Sequence, residues 1–225
     1  MTASEQHTFL FADLAGFTAM TEAHGDEMAA DAVTEFCRDV RELLPEFKAE
    51  QIKSIGDAVM VRVPDASAAI RLAVRLIEEV GTRHGSLAVR VGAHTGPAVH
   101  RDGDWFGAAV NLAARVAGVA QRGEVPMTEV THTAAGGALA EYDIEARPGQ
   151  AFKNVAEPIT VYALTLASQP HVANLPIDPV CRMAVDPNES PERRTRDGVE
   201  IWFCSPECAV VFDRHPDRYP VDAGP

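Results

Sequence analysis

The order in which the hydrophobic period changes along the chain is what most restricts its fold. Residues His7 to Asp13, HTFLFAD, read as a buried strand with its acidic end exposed at the tip, and a loop, AGFT, follows. From Gly25 to Phe47 the residues Met28, Ala32, Phe36, Val40 and Leu43 recur at helical spacing, with Asp26 placed to cap the run. The segment QIKSIGDAVMVRV reads as two strands joined at Ser54 to Asp57. A second helical stripe, Ala69, Leu72, Ala73, Leu76 and Val80, runs from about Asp65 to Gly81, and the strand LAVRVGAHTG continues to Gly96. The order β-α-β-β-α-β predicts an α+β fold with a ferredoxin-like core, an antiparallel sheet covered on one face by helices.

Beyond this core, Asp104 to Ala120 hold Gly107 and then a helical run through Val110, Ala113, Ala114 and Ala117. The strand candidates EVPMT and PITVYAL close the domain near Leu166. Residues 167–176, ASQPHVANLP, have two prolines and no apolar period and read as a linker, whereas 177–220 form a compact segment rich in Cys, Pro and charge. The expected organisation is a main domain over 1–166, a linker over 167–176 and a small module over 177–220. A chain of 225 residues is long enough for both.

With 46% hydrophobic and 24% charged residues the chain belongs with globular proteins, which excludes disordered and fibrous classes. The net charge of −13 opposes non-specific binding to nucleic acid or anionic lipid, so any anionic substrate must find its cations within the site itself. The start, MTASEQHT, has neither a basic region nor an apolar run, and no stretch reaches the length of a membrane span. A cytoplasmic location with no nucleic-acid and no membrane partner is the expectation. Cys37 lies alone beside a helical stripe and is expected in the core, whereas Cys181, Cys204 and Cys208 cluster near the end. In a cytosolic protein such clustered thiols point to metal or redox chemistry rather than to a disulfide framework.

Asp13 ends a central strand and Asp57 follows a glycine at a turn, so in a ferredoxin-like sheet the two carboxylates can meet at one edge. With a nearby backbone carbonyl such as that of Leu14, they suit a pair of Mg²⁺ or Mn²⁺ ions bound partly by substrate phosphates. Such a pair permits one ion to lower the pKa of an attacking hydroxyl while the other neutralises phosphate charge. Taken alone, two such residues are also consistent with solvated caps and turns. Asn111 and Arg115, four apart on a helix, project from one face. They could orient a ribose and hold the extra charge of a pentavalent phosphorus, or simply be a solvated helix face.

In this order and at these separations, FADLAGFT, KSIGDAVM, VGAHTGP and DWFGAAVNLAAR resemble the successive signatures of class III adenylyl and guanylyl cyclases, over roughly residues 8–165. The resemblance implies a class III cyclase homology domain in which Asp13 and Asp57 bind two Mg²⁺ or Mn²⁺ per active site, with Leu14 lending its carbonyl. It implies that Asn111 positions the ribose, that Arg115 stabilises the transition state, and that Lys53 and Asp104 select the purine. Lys153 falls where the family often has a triphosphate lysine, although the usual L-K-G reads Phe152, Lys153, Asn154. A lysine donor for adenine N1 and an aspartate acceptor for the 6-amino group fit adenine and mismatch guanine, at about 1–3 kcal/mol for a polar group left unpaired. The implied reaction is conversion of ATP to 3′,5′-cyclic AMP and pyrophosphate. Because the family divides each site between subunits and this chain carries both sets of residues, a head-to-tail homodimer with two equivalent sites is expected. No protein nucleophile is required, so His94 is expected to be structural. The alternatives are a guanylyl cyclase and a catalytically weak cyclase-fold dimer acting as a metal-responsive signalling module.

The tail carries DPVCRM, WFCSPEC and FDRHPDRY, and resembles a YHS domain, a relative of the metal-binding TRASH module. Thiolates select Zn²⁺, Cu(I) and other soft ions, and in so small a module bound metal could contribute much of the folding energy. Cys181, Cys204 and Cys208 leave a fourth position for which His215, Met183 and water are candidates. A permanently filled zinc site, a packed module without metal, and a sensor whose metal or redox state sets cyclase output all remain open.

Overall fold

The computed structural model of the protein describes residues 6–80, 87–166 and 175–219. The first residues of the chain and most of the expected linker, 1–5 and 167–174, lie outside the described residues.

Strands β1 (Gln6–Leu14), β2 (Glu50–Ile55), β3 (Ala58–Val63) and β4 (Val89–Pro97) form the antiparallel core in the order β2-β3-β1-β4, the ferredoxin-like arrangement. The sheet continues through β7 (Glu124–Thr128), parallel to β4, then β9 (Ile159–Thr165) and β8 (Asp143–Gln150). Strand alternation divides the apolar side chains between two faces. Leu10, Ala12, Leu14, Val59 and Val61 join the large core, whereas Phe9, Phe11 and Met60 join a smaller one on the other side.

The large core is covered by α2 (Asp26–Leu43) and α3 (Ala66–Arg75). α3 starts where the Asp65 carboxylate accepts the Ala68 N–H at 2.7 Å, a cap of about 1 kcal/mol, and its stripe of Ala69, Leu72 and Ala73 is fully buried. In α2, Phe36, Cys37 and Val40 are buried, which gives Cys37 its expected place in the core. Two details of α2 differ from expectation. Asp26 is the first helical residue behind a Gly25 cap, where its charge favours the helix N-terminus, and Met28 is exposed.

Sequence pattern also missed short elements. The expected AGFT loop ends at Gly16, whose φ of +85° turns the chain, and α1 (Phe17–His24) begins at once, with Met20 buried. A hairpin of β5 (Val99–Arg101) and β6 (Asp104–Phe106) turns at Asp102-Gly103, both at positive φ. The helix expected after Gly107 is α4 (Ala108–Ala117), and it lies on the second face of the sheet, so helices cover both faces once the core is extended. Its close approach requires glycine in β4: a Cβ on Gly92 would sit 2.2 Å from Ala117 N, and one on Gly96 would sit 2.9 Å from the Ala109 Cβ. After β7 comes α5 (Glu129–Ala135).

In the tail, a hairpin of β10 (Glu192–Arg196) and β11 (Val199–Phe203) leads into α6 (Pro206–Arg214). Val180, Cys181, Ile201, Phe203, Cys208 and Phe212 form its small core, against which Ala23 of α1 packs.

Candidate active site and thiol cluster

Alternation along β1 places Asp13 on the face of Phe9 and Phe11, at the end of the sheet where the β2–β3 turn brings Asp57. Burial pushes the Asp57 carboxyl above its ordinary range, and the charge of Asp13 pushes it further. Arg90 stands opposite Asp13 in the β1–β4 register and donates from Nε and Nη2 to the two carboxylate oxygens at 2.8 and 2.9 Å. Two carboxylates facing one guanidinium leave local negative charge for divalent cations with hard oxygen ligands. The Leu14 side chain is buried, which leaves only its backbone to serve the site. Arg90 escaped the sequence reading; its only signal is the V-R-V alternation that puts an arginine across from Asp13.

Lys53 and Asp104 also meet. A bulge in β2 between Gln51 and Lys53 re-aims the chain, and Lys53 Nζ donates to Asp104 Oδ2 at 2.6 Å. The other oxygen, Oδ1, accepts the Trp105 N–H at 2.7 Å, and the Lys53 ammonium lies over the Phe106 ring. The hydrogen bond from Lys53 holds the Asp104 carboxyl below the usual carboxylate range. A donor and an acceptor are thus fixed side by side, both reachable from solvent.

Asn111 and Arg115 ride on the outer side of α4, whose inner side, Ala109, Ala113 and Ala117, is buried on the sheet. Lys153 is exposed in the turn between β8 and β9. Following the register across the sheet, Asp13, Arg90, Glu124, Thr165 and Asp143 share one end, whereas Gln150 and Ile159 lie toward the other. Within one chain Lys153 is therefore at the far end from the two aspartates. His94 Nδ1 lies 2.7 Å from Thr128 Oγ1, and burial lowers its pKa to about 4, which keeps the ring neutral.

In the tail, Cys181 and Cys204 Sγ are 3.3 Å apart and Cys204 and Cys208 Sγ 3.7 Å. The fourth position is not taken by His215, which lies just past the end of α6. His24 Nε2 occupies it, 3.4 Å from Cys204 Sγ and 3.7 Å from Cys208 Sγ. Met183 packs against the tail core, and its backbone carbonyl accepts the Asp178 N–H. The buried Asp178 carboxylate accepts N–H groups of Val180 and Cys204 at 2.8 and 2.9 Å and so ties the two cysteine loops together. Hydrogen bonds from Cys181 and Cys204 hold the Cys208 thiol well below the ordinary thiol range. The donor chemistry fits a soft or borderline ion. His24 was invisible to spacing arguments because 180 residues separate it from Cys204.

The chain combines a ferredoxin-like sheet, paired carboxylates at one end of it and a polar helix face above it, and comparison with known proteins names the family. Residues 1–165 match the adenylate and guanylate cyclase catalytic domain and residues 177–221 match the YHS domain; the chain belongs to the cyclase catalytic-domain family and carries a YHS domain behind it. It is 37% identical over 138 residues to a pH-sensitive adenylate cyclase of Mycobacterium tuberculosis, covering 60% of this chain and 34% of that protein. It is 36% identical over 115 residues to an adenylate cyclase of Streptomyces griseus, covering 51% of this chain and 29% of that one. The chain thus spans about a third of the length of these curated relatives. Among solved structures, Trypanosoma brucei adenylate cyclases in their monomeric state match with a TM-score of 0.61 and 25% identity, covering 72% of this chain and 90% of that one. The adenylyl cyclase CyaB of P. aeruginosa shares the fold, with a TM-score of 0.62 at 21% identity over 73% of this chain and 95% of that one. No helix among the described residues is long and apolar enough to cross a membrane.

Proposed function

We propose that the protein is an adenylyl cyclase that converts ATP to 3′,5′-cyclic AMP and pyrophosphate at two sites of a head-to-tail homodimer. Within the cyclase family, the observation that carries the choice of ATP is the Lys53–Asp104 pair, a donor and an acceptor already set side by side. Lys53 donates to adenine N1 and Asp104 accepts from the 6-amino group; guanine offers a donor and a carbonyl at the same positions and leaves both protein groups mismatched.

Asp13, Asp57 and the Leu14 carbonyl would hold two Mg²⁺ or Mn²⁺, whose chemistry there would be to lower the pKa of the ribose 3′-hydroxyl and to neutralise phosphate charge. Arg90 holds the Asp13 carboxylate in place through its two hydrogen bonds. Asn111 orients the ribose so that its 3′-oxygen lines up with the α-phosphorus. Arg115 receives the charge that develops on the pentavalent phosphorus, and pyrophosphate leaves. Lys153 binds the triphosphate.

The dimer is supported by the placement of Lys153. One chain sets it and the aspartates at opposite ends of the sheet, and in a head-to-tail pair a second copy would supply the missing set. Complementation tests this. Asp57→Ala and Arg115→Ala chains, each inactive alone, should on mixing recover about a quarter of wild-type activity, because half of the randomly assorted dimers hold one intact site. No recovery in mixtures shown to exchange subunits would refute the shared site. The YHS tail, with its thiols gathered beside α1, is read as the regulatory element, responsive to metal or redox state.

A further inference from the structure

Among the described residues, His24, Cys181, Cys204 and Cys208 bring one ligand atom each to within 4.8 Å of one another. The separations, 3.3 and 3.7 Å between thiols and 3.4 and 3.7 Å from thiol to ring nitrogen, are close to those of a filled site. A tetrahedral zinc with Zn–S of about 2.3 Å and Zn–N of about 2.0 Å holds its donors about 3.5–3.8 Å apart. The four atoms therefore already stand near the corners of such a site, and only small side-chain adjustments are needed to close it.

Three of these donors belong to the tail, but the fourth belongs to the catalytic domain. We propose that His24 and Cys181, Cys204 and Cys208 form one zinc site shared between the two domains, a clasp that docks the tail on α1. Three thiolates and an imidazole in tetrahedral array suit Zn²⁺; Mg²⁺ and Mn²⁺ prefer oxygen and would stay with the aspartates, while Cu(I) is satisfied by fewer, softer donors. The scaffold is prepared for the ion. Asp178 fixes both cysteine loops from behind through backbone N–H groups, and Ser205 accepts the Cys208 N–H at the start of α6. An ordinary packing contact would bring Ala23 against the tail core, as it does, but would not aim a ring nitrogen at two thiols.

The clasp also reaches toward the aspartates. His24 is the last residue of α1, and the helix begins at Phe17, separated only by Ala15 and Gly16 from β1, the strand that carries Asp13. Eight helical residues span about 12 Å, so the zinc and the candidate catalytic cations would sit at the two ends of one short, stiff element. Arg182, next to the ligand Cys181, presses on Gly16 so closely that a Cβ there would lie 2.6 Å from the Arg182 Cβ. Zinc occupancy thus bears on the Ala15–Gly16 turn that follows the Asp13 end of β1. The zinc assignment itself stands independently of nucleotide turnover; only its effect on turnover rests on the cyclase reading.

The test uses the full chain and reads metal rather than activity. Wild-type protein should retain one Zn²⁺ per chain after dialysis and, with Co²⁺ in its place, show tetrahedral ligand-field bands. His24→Asn should weaken Zn²⁺ binding by at least about 10- to 100-fold in chelator competition, and alter the Co²⁺ bands. His24→Cys should restore tight binding and strengthen the sulfur-to-cobalt charge-transfer band by one thiolate, which separates loss of a ligand from loss of fold. Hydrogen exchange of the α1 amides should slow when Zn²⁺ is added to wild type and stay unchanged in His24→Asn. Equal Zn²⁺ affinity and identical Co²⁺ spectra for wild type and His24→Asn would overturn the proposal, as would α1 exchange that ignores zinc in wild type.

Discussion

Lys53 and Asp104, 51 residues apart in sequence, are joined by a 2.6 Å hydrogen bond between β2 and the start of β6. Each side chain is about a third exposed, and on the adenylyl cyclase reading proposed above a purine edge would reach the pair and trade that bond for two of its own. A pair held in this way costs little reorganisation when the correct base arrives.

Reversing the polarity of the pair should reverse the preference. Lys53→Glu combined with Asp104→Cys offers an acceptor to guanine N1–H and a donor to its carbonyl. Turnover of ATP should fall about 5- to 160-fold in kcat/KM, as expected for a polar mismatch of about 1–3 kcal/mol, while GTP gains relative to it. Parallel initial rates measure this; an unchanged ATP:GTP ratio would show that other groups read the base.

Asp57 pits function against stability. Burial and the neighbouring Asp13 raise its pKa, so the folded state carries this carboxylate at a cost. Asp57→Asn should leave the melting temperature equal or higher while cyclase activity drops about 1,000-fold or more, the several kcal/mol that a bound metal contributes to charge stabilisation. Calorimetry beside an activity assay decides the point. A clear loss of stability would mean that Asp57 is a structural turn residue.

The seating of α4 depends on the missing side chain at Gly92. Gly92→Ala drives a methyl into the backbone of Ala117 and Val116, with contacts of 2.2 to 2.7 Å that no rotamer can relieve. Overpacking of about 1–3 kcal/mol corresponds to a fall in melting temperature of roughly 2–12 °C for a chain of this size. Activity should fall with it, because Asn111 and Arg115 move with the helix. Gly137→Ala, where nothing lies within 4 Å of the added atom, is the control and should melt like wild type.

His94 should shape the acid side of the stability curve. Its folded pKa, about 4, lies below its ordinary value of 6.5, so between those values the unfolded chain binds a proton that the folded chain excludes. Its contribution is complete above pH 6.5 and drains away as the pH falls toward 4. His94→Gln removes the titrating ring, so its melting temperature should fall less steeply over that window. Parallel slopes would mean that the ring is protonated in the folded state.

The parts of this molecule that follow from local pattern were legible in the sequence, and those that depend on register or on distant partners were not. Strand alternation and the Gly56 turn sufficed to bring Asp13 and Asp57 to one end of the sheet. Arg90 needs the β1–β4 register before it can be seen to face Asp13. The strand β8 escaped because it is an exposed edge carrying Pro148, without the alternation of a half-buried strand. The three-residue arms of the β5–β6 hairpin are too short for any period to show. His24 lies in a short helix with a single buried residue, and its partners come from the other end of the chain.

The most direct test of the central claim is to incubate the purified protein with Mn²⁺ and either ATP or GTP and to separate the cyclic products. Cyclic AMP should form, faster than cyclic GMP at equal substrate, and neither should form with Asp57→Ala. Faster cyclic GMP, or no cyclic nucleotide from a properly folded dimer, would contradict it.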